Sequence, residues 1–134
     1  MIMDHKLKLM VVDDSPLFRT WLIRSLSEDD RFQVVGYAVN ALDAQEKIPL
    51  LQPDMLTLDI EMPGMSGIEF LKQLLPVHPI PVILVSSLNL RVFDALEAGA
   101  VDFVRKPDEA NGLSKEIFLS MLRSKLMVAA ASHV

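Results

Sequence analysis

The chain has 134 residues, a formal net charge of −5 and no cysteine. That length suits a single domain with a sizeable core, the missing thiols exclude disulfides and thiolate metal sites, and the acidic balance disfavours nucleic acid and anionic membranes as partners. No apolar run approaches the roughly 20 residues of a membrane span, and residues 1–10, with Asp4, His5, Lys6 and Lys8, lack the apolar segment of a signal peptide, so a cytoplasmic protein is expected.

Leu7 to Val12 reads as a strand, followed at once by Asp13 and Asp14. Ser15 and Pro16 then suit the cap and first position of a helix, with Phe18, Trp21, Leu22 and Leu26 at helical spacing on one face. Ser27 to Asp30 ends that helix, and Phe32 to Ala38 is a second strand. Asn40 is placed to cap a second helix containing Leu42, Gln45, Glu46 and Ile48, whose last turn Pro49 should disturb. Met55 to Leu58 is a third strand ending at Asp59, and a Pro/Gly-containing loop leads to Gly67 and a helix with Ile68, Leu71, Leu74 and Leu75 inward.

Pro81 to Val85 is a fourth strand ending at Ser86 and Ser87. A short helix is expected from about Leu90 to Ala98, closed by Gly99. Val101 to Val104 is a fifth strand ending at Arg105, Lys106 and Pro107, and a last helix is expected from Asn111 to Ala129 with Leu113, Ile117, Met121, Leu122 and Leu126 inward. The organisation is a loose end over 1–6, one domain over 7–128, and a tail or linker start over 129–134. Strands alternating with helices argue for a doubly wound α/β sheet, whose strands are apolar on both faces; the mean hydropathy of +0.32 agrees.

In such a sheet ligands meet the carboxyl ends of the strands. Asp13, Asp14, Asp59, Ser86 and Lys106 each follow an apolar run there. Asp59 and the acidic pair could simply open a loop or cap a helix. As a cluster, three carboxylates need a cation, and an oxygen-only donor set favours Mg²⁺. A Mg²⁺ ion and Lys106 would neutralise them, leaving a site able to accept a phosphoryl group on an Asp nucleophile. A Mg²⁺-dependent phosphatase using an aspartyl phosphate, with Glu61 as its general acid, is a second reading, though no substrate cap is evident. A flavodoxin-like cofactor binder is disfavoured because Asp13 and Asp14 would repel a flavin phosphate.

From about Lys8 to Leu126 the chain resembles a response-regulator receiver domain. The likeness rests on Asp13 and Asp14, Asp59 with Met62, Pro63 and Gly67, Ser86, Gly99, Ala100, Phe103, and Lys106 with Pro107. It implies a flavodoxin-like five-stranded parallel sheet of order 2-1-3-4-5 with helices on both faces. It implies phosphorylation of Asp59 by a sensor histidine kinase, with Mg²⁺ held by Asp13, Asp14, Asp59 and the main-chain carbonyl of Glu61. Ser86 and Phe103 would be the switch residues, Lys106 the phosphoryl-binding lysine, and the Lys106–Pro107 bond cis. Leu56 to Pro63, Val85 to Leu88 and Gly99 to Val104 further resemble the receiver of the chemotaxis protein-glutamate methylesterase. There, a receiver restrains a hydrolase domain until it is phosphorylated. No nucleophile motif of such a hydrolase occurs in these residues. Between Ser87 and Gly99 the chain departs from that likeness by being about one helical turn shorter, so a short fourth helix is expected.

Overall fold

The computed structural model describes residues 6–87 and 91–132. Along them run β1 (Leu7–Val12), α1 (Pro16–Ser27), β2 (Phe32–Ala38), α2 (Ala41–Leu51), β3 (Met55–Leu58), α3 (Gly67–Leu74), β4 (Val82–Ser86), α4 (Arg91–Glu97), β5 (Asp102–Arg105) and α5 (Lys115–Ser132), with a 3₁₀ turn over Glu109–Asn111. The five strands form one sheet of order β2-β1-β3-β4-β5, all pairs parallel.

Residues on a strand alternate between faces, and both faces here are covered. Met10, Val12, Leu56, Leu58, Val82 and Leu84 pack with Ile48, Phe70, Leu71, Leu74 and Val92 of α2, α3 and α4. Leu9, Val11, Met55, Ile83, Val85 and Val104 pack with Leu22, Leu26, Phe118, Leu122 and Leu126 of α1 and α5. Every residue of β3 and β4 is therefore buried, which accounts for their being apolar but for Thr57 and Ser86.

Helix ends follow local chemistry in part. Asn40 accepts a hydrogen bond from the Asp43 amide at 2.8 Å, and Ser66 one from the Glu69 amide at 3.2 Å. Ser15 occupies the cap position of α1, but its hydroxyl makes no capping bond. Pro49 lies inside α2 without ending it; the helix runs to Leu51 and closes at Gln52 in the left-handed region. The lost amide bond is tolerated because Ile48 and Leu51 stay packed on the core.

The chain after β5 differs from expectation. Asp108 and Leu113 exchange backbone hydrogen bonds of 2.8 and 2.9 Å, so Leu113 lies in a closed loop and α5 begins at Lys115. The inward stripe of α5 is Phe118, Leu122, Leu126 and Ala129, while Ile117 and Met121 stay 55% and 46% exposed. The Lys106–Pro107 bond is trans, not cis; trans is the lower-energy isomer by about 0.5–1 kcal/mol. The expected start of the fourth helix at Leu90 lies outside the described residues; its described part is the seven residues Arg91–Glu97.

Candidate functional site

Backbone hydrogen bonds carry the sheet one residue past its strands and so position the site. The Asp13 amide donates to Ala38 O, the Asp59 amide to Val12 O, and the Lys106 amide to Ser86 O, each at 3.0 Å. Carboxylate oxygens of Asp13, Asp14 and Asp59 consequently lie within 4.8 Å of one another. Asp13 and Asp59 are 2% and 5% exposed, whereas Asp14 faces solvent.

The two buried carboxylates are held on both oxygens. Asp13 Oδ1 accepts from the Ser15 amide at 2.8 Å, and Asp59 Oδ1 from the Glu61 amide at 3.0 Å. Their other oxygens meet Lys106 Nζ, 3.0 Å from Asp13 Oδ2 and 3.0 Å from Asp59 Oδ2. Arg19 Nη1 donates to the Asp13 carbonyl at 2.9 Å and ties the first turn of α1 to the cluster.

Burial pushes the Asp13 carboxyl up, and the Ser15 amide and Lys106 offset this only in part. Burial also opposes the Lys106 ammonium, yet Asp13 and Asp59 together outweigh it and hold the lysine above its ordinary range. Three carboxylates thus face one ammonium, and the cluster is short of positive charge. Ser86, at the end of β4, is 1% exposed, and its Oγ is buried with no hydrogen-bond partner. An unmade bond of that kind costs about 1–3 kcal/mol, and an oxygen-rich ligand entering the site would supply it.

The loop after Asp59 is folded tightly over the strand end. Gly64 has a φ of +80°, and the Gly67 amide donates to Ile60 O at 3.2 Å. Met62 and Met65 pack against the core, as expected of side chains that serve only the fold. Phe103 is half-buried against the same cluster, and its carbonyl accepts from Lys125 Nζ at 2.8 Å. Ser87 is exposed. Asp54 accepts from the Lys8 amide at 2.9 Å, in keeping with a turn residue, whereas Asp102 opens β5 and pairs with Lys125 at 3.0 Å.

The structure therefore brings together Asp13, Asp14, Asp59 and Lys106 and sets Ser86 beside Lys106 through the backbone. The side chain of Glu61 is exposed, and its contribution to Asp59 is an amide. Sequence reasoning missed the Ser15 and Glu61 amides, Arg19, and the contact of Phe18 with Lys106 (4.6 Å from Nζ to the ring centroid). Both α1 residues lie in the first turns of a helix that starts at the acidic pair, the one signal that could have pointed to them.

Comparison with known proteins agrees with this architecture. The response regulator receiver domain family matches residues 9–118. A protein-glutamate methylesterase/protein-glutamine glutaminase of Syntrophomonas wolfei is 46% identical over 130 residues, covering 97% of this chain and 38% of the relative. A second, from Vibrio vulnificus, is 43% identical over 137 residues, covering 99% of this chain and 40% of the relative. The chain thus spans about two fifths of the length of these relatives. The response regulator domain of Thermotoga maritima CheB superposes with a TM-score of 0.84 at 36% identity, covering 97% of this chain and 100% of that one. A CheY6 chain solved in complex with the P1 domain of CheA3 from R. sphaeroides gives a TM-score of 0.76 at 28% identity, covering 93% of this chain and 97% of that chain. Sheet order, acidic cluster and sequence likeness converge, and the chain belongs to the response-regulator receiver family, as a receiver of the kind found in chemotaxis methylesterases.

Proposed function

We propose that Asp59 is the phosphoryl acceptor of this receiver. The observation that carries the reading is Lys106 Nζ, 3.0 Å from both Asp13 and Asp59 in a cluster otherwise short of positive charge. In the reaction an Asp59 oxygen attacks the donor phosphorus, the bond from phosphorus to the leaving group breaks, and an acyl phosphate forms. Lys106 then exchanges its Asp59 contact for a phosphoryl oxygen, and the Ser86 hydroxyl gains an acceptor. Phe103 would follow Ser86, as the family likeness implies.

The donor set fits Mg²⁺. All ligands are hard oxygens, and the observed spread within 4.8 Å is near the roughly 3–4 Å separation of oxygens around an octahedral ion. Asp13, Asp14, Asp59 and the Glu61 carbonyl would hold it, and the ion would supply charge neutralisation for the incoming phosphoryl group.

A histidine kinase is the proposed phosphodonor, in keeping with the CheY6 likeness. The proposed output is a methylesterase domain of a longer, cytoplasmic protein, since the curated relatives are methylesterases more than twice this length. Among the described residues no helix is long and apolar enough to cross a membrane. The reading face would be α4, β5 and α5, where Phe93, Ile117 and Met121 are exposed, as is Val101 just before β5.

The test is incubation with Mg²⁺ and acetyl phosphate, followed by intact-mass measurement. One acid-labile phosphoryl group is expected, absent in Asp59→Asn and without EDTA-resistant labelling. Undiminished labelling of Asp59→Asn would sink the assignment.

A further inference from the structure

Lys106 has a third neighbour besides its two carboxylates. Its Nζ lies 4.6 Å from the centroid of the Phe18 ring. An ammonium has three N–H donors; Asp13 and Asp59 take two directions, and the aromatic face lies against the ion as well. We propose that Phe18 is a positioning residue for Lys106, its ring holding the ammonium at the strand ends. This rests on reading Lys106 as the group that meets the phosphoryl oxygens.

The chemistry of the contact suits that task. A ring face attracts a cation through its quadrupole. Unlike another carboxylate, it adds no net negative charge to a cluster already rich in it. It is also a poor hydrogen-bond acceptor, so it does not compete with a phosphoryl oxygen for the lysine. When Asp59 is modified, the contact with its carboxylate changes, and the ring keeps the ammonium from swinging to solvent, to which the side chain is 20% open.

The ring itself is braced. Phe18 meets Trp21 at 5.7 Å and Phe118 at 5.8 Å between centroids, and Trp21 and Phe118 meet at 5.9 Å. Phe118 is buried on α5 at 2% exposure. The neighbouring Arg19 bonds the Asp13 carbonyl, so the helix turn that carries the ring is fixed to the site it serves. Three aromatic rings from two helices thus stand behind one lysine.

The experiment compares Phe18→Leu, which keeps apolar bulk, with Phe18→Tyr, which keeps the ring, after urea unfolding shows both folded. Labelling by acetyl phosphate in Mg²⁺ should slow about 3- to 10-fold in Phe18→Leu and stay within about twofold of wild type in Phe18→Tyr. The Lys106 ¹⁵Nζ ammonium resonance, assigned by its loss in Lys106→Met, should lie under a ring-current shift in wild type and Phe18→Tyr, and lose it in Phe18→Leu. Equal slowing in both variants, wild-type labelling of Phe18→Leu, or an ammonium shift indifferent to the ring would each overturn the inference. Failure of the wild-type protein to label at Asp59 would instead reject the phosphoacceptor reading, and the ammonium shift would still decide whether Phe18 holds the lysine.

Discussion

An alanine Cβ at Gly67 would lie 2.7 Å from Ile60 Cα, with Ile60 Cγ2 and Cβ at 3.1 and 3.2 Å. Comfortable carbon contacts lie at about 3.5–4.0 Å, so the overlap is near 1 Å, and its first partner is backbone. Relief requires moving the start of α3 or the segment just after Asp59. An added methylene in a packed place typically costs about 1–3 kcal/mol, while alanine's helix preference over glycine returns at most about 1 kcal/mol. Because the atom in the way is backbone, the cost belongs in the upper part of that range, about 2–3 kcal/mol, and Gly67→Ala should destabilise by at least about 1–2 kcal/mol net, lowering the urea midpoint by roughly 0.5–1 M or more for a domain of this size. It should also slow labelling of Asp59, because the loop carrying the Glu61 amide shifts. Gly36→Ala is the control. Its Cβ would come within 2.6 Å of Leu51 Cδ1, with the next contact, to Leu51 Cγ, at 3.9 Å, so only the tip of a flexible side chain need rotate. Its stability should stay within about 0.5 kcal/mol of wild type. A Gly67→Ala protein as stable as wild type, or an equal loss in both, would refute the reasoning.

Removing the Asp13 charge should stabilise the metal-free protein. The Asp13 pKa is raised in the fold, so its ionised form is penalised at pH values above that folded value. The penalty fades as pH falls, and it is gone below the ordinary 3.8, where folded and unfolded states are both protonated. In EDTA, Asp13→Asn should therefore unfold at higher urea than wild type at neutral pH, with the gap closing toward pH 4; with Mg²⁺ the order should reverse, since a ligand is lost. A neutral-pH loss of stability in EDTA would contradict this. At the helix caps, Asn40→Ala should cost about 1 kcal/mol, because a bond to the Asp43 amide is removed. Ser15→Ala should be nearly neutral, since the Ser15 hydroxyl caps nothing. Thermal or urea unfolding of the pair checks both, and equal losses would show that capping geometry does not decide them.

Much of the fold was legible in the chain because its signals are local. The strands Leu7–Val12 and Phe32–Ala38 end where expected, with Asp13 directly after the first and the cap residue Asn40 two positions after the second. Asp13, Asp59, Ser86 and Lys106 stood out because each follows an apolar run by one or two residues, and a parallel sheet places those ends on one edge. Other features depended on which of several competing contacts the folded chain makes. Apolar residues on α5 offer two stripes at helical spacing, Ile117 with Met121 and Phe118 with Leu122 and Leu126; only docking against β4 and β5 chose the second. The delayed start of α5 goes with the bonds between Asp108 and Leu113, which close a loop at the turn pair Asn111 and Gly112, and with Ser114, whose hydroxyl accepts from the Ile117 amide at 3.1 Å and caps the helix. Ser15 carried a cap signal and holds the cap position, but its hydroxyl accepts no bond from the first turn.

Asp59 shows the division most clearly. Its place at the mouth of a loop was determined by the sequence itself, through the apolar strand before it and the glycines after it. Its chemistry was decided by tertiary structure, because the lysine that meets it stands 47 residues away and only the sheet brings the two to 3.0 Å.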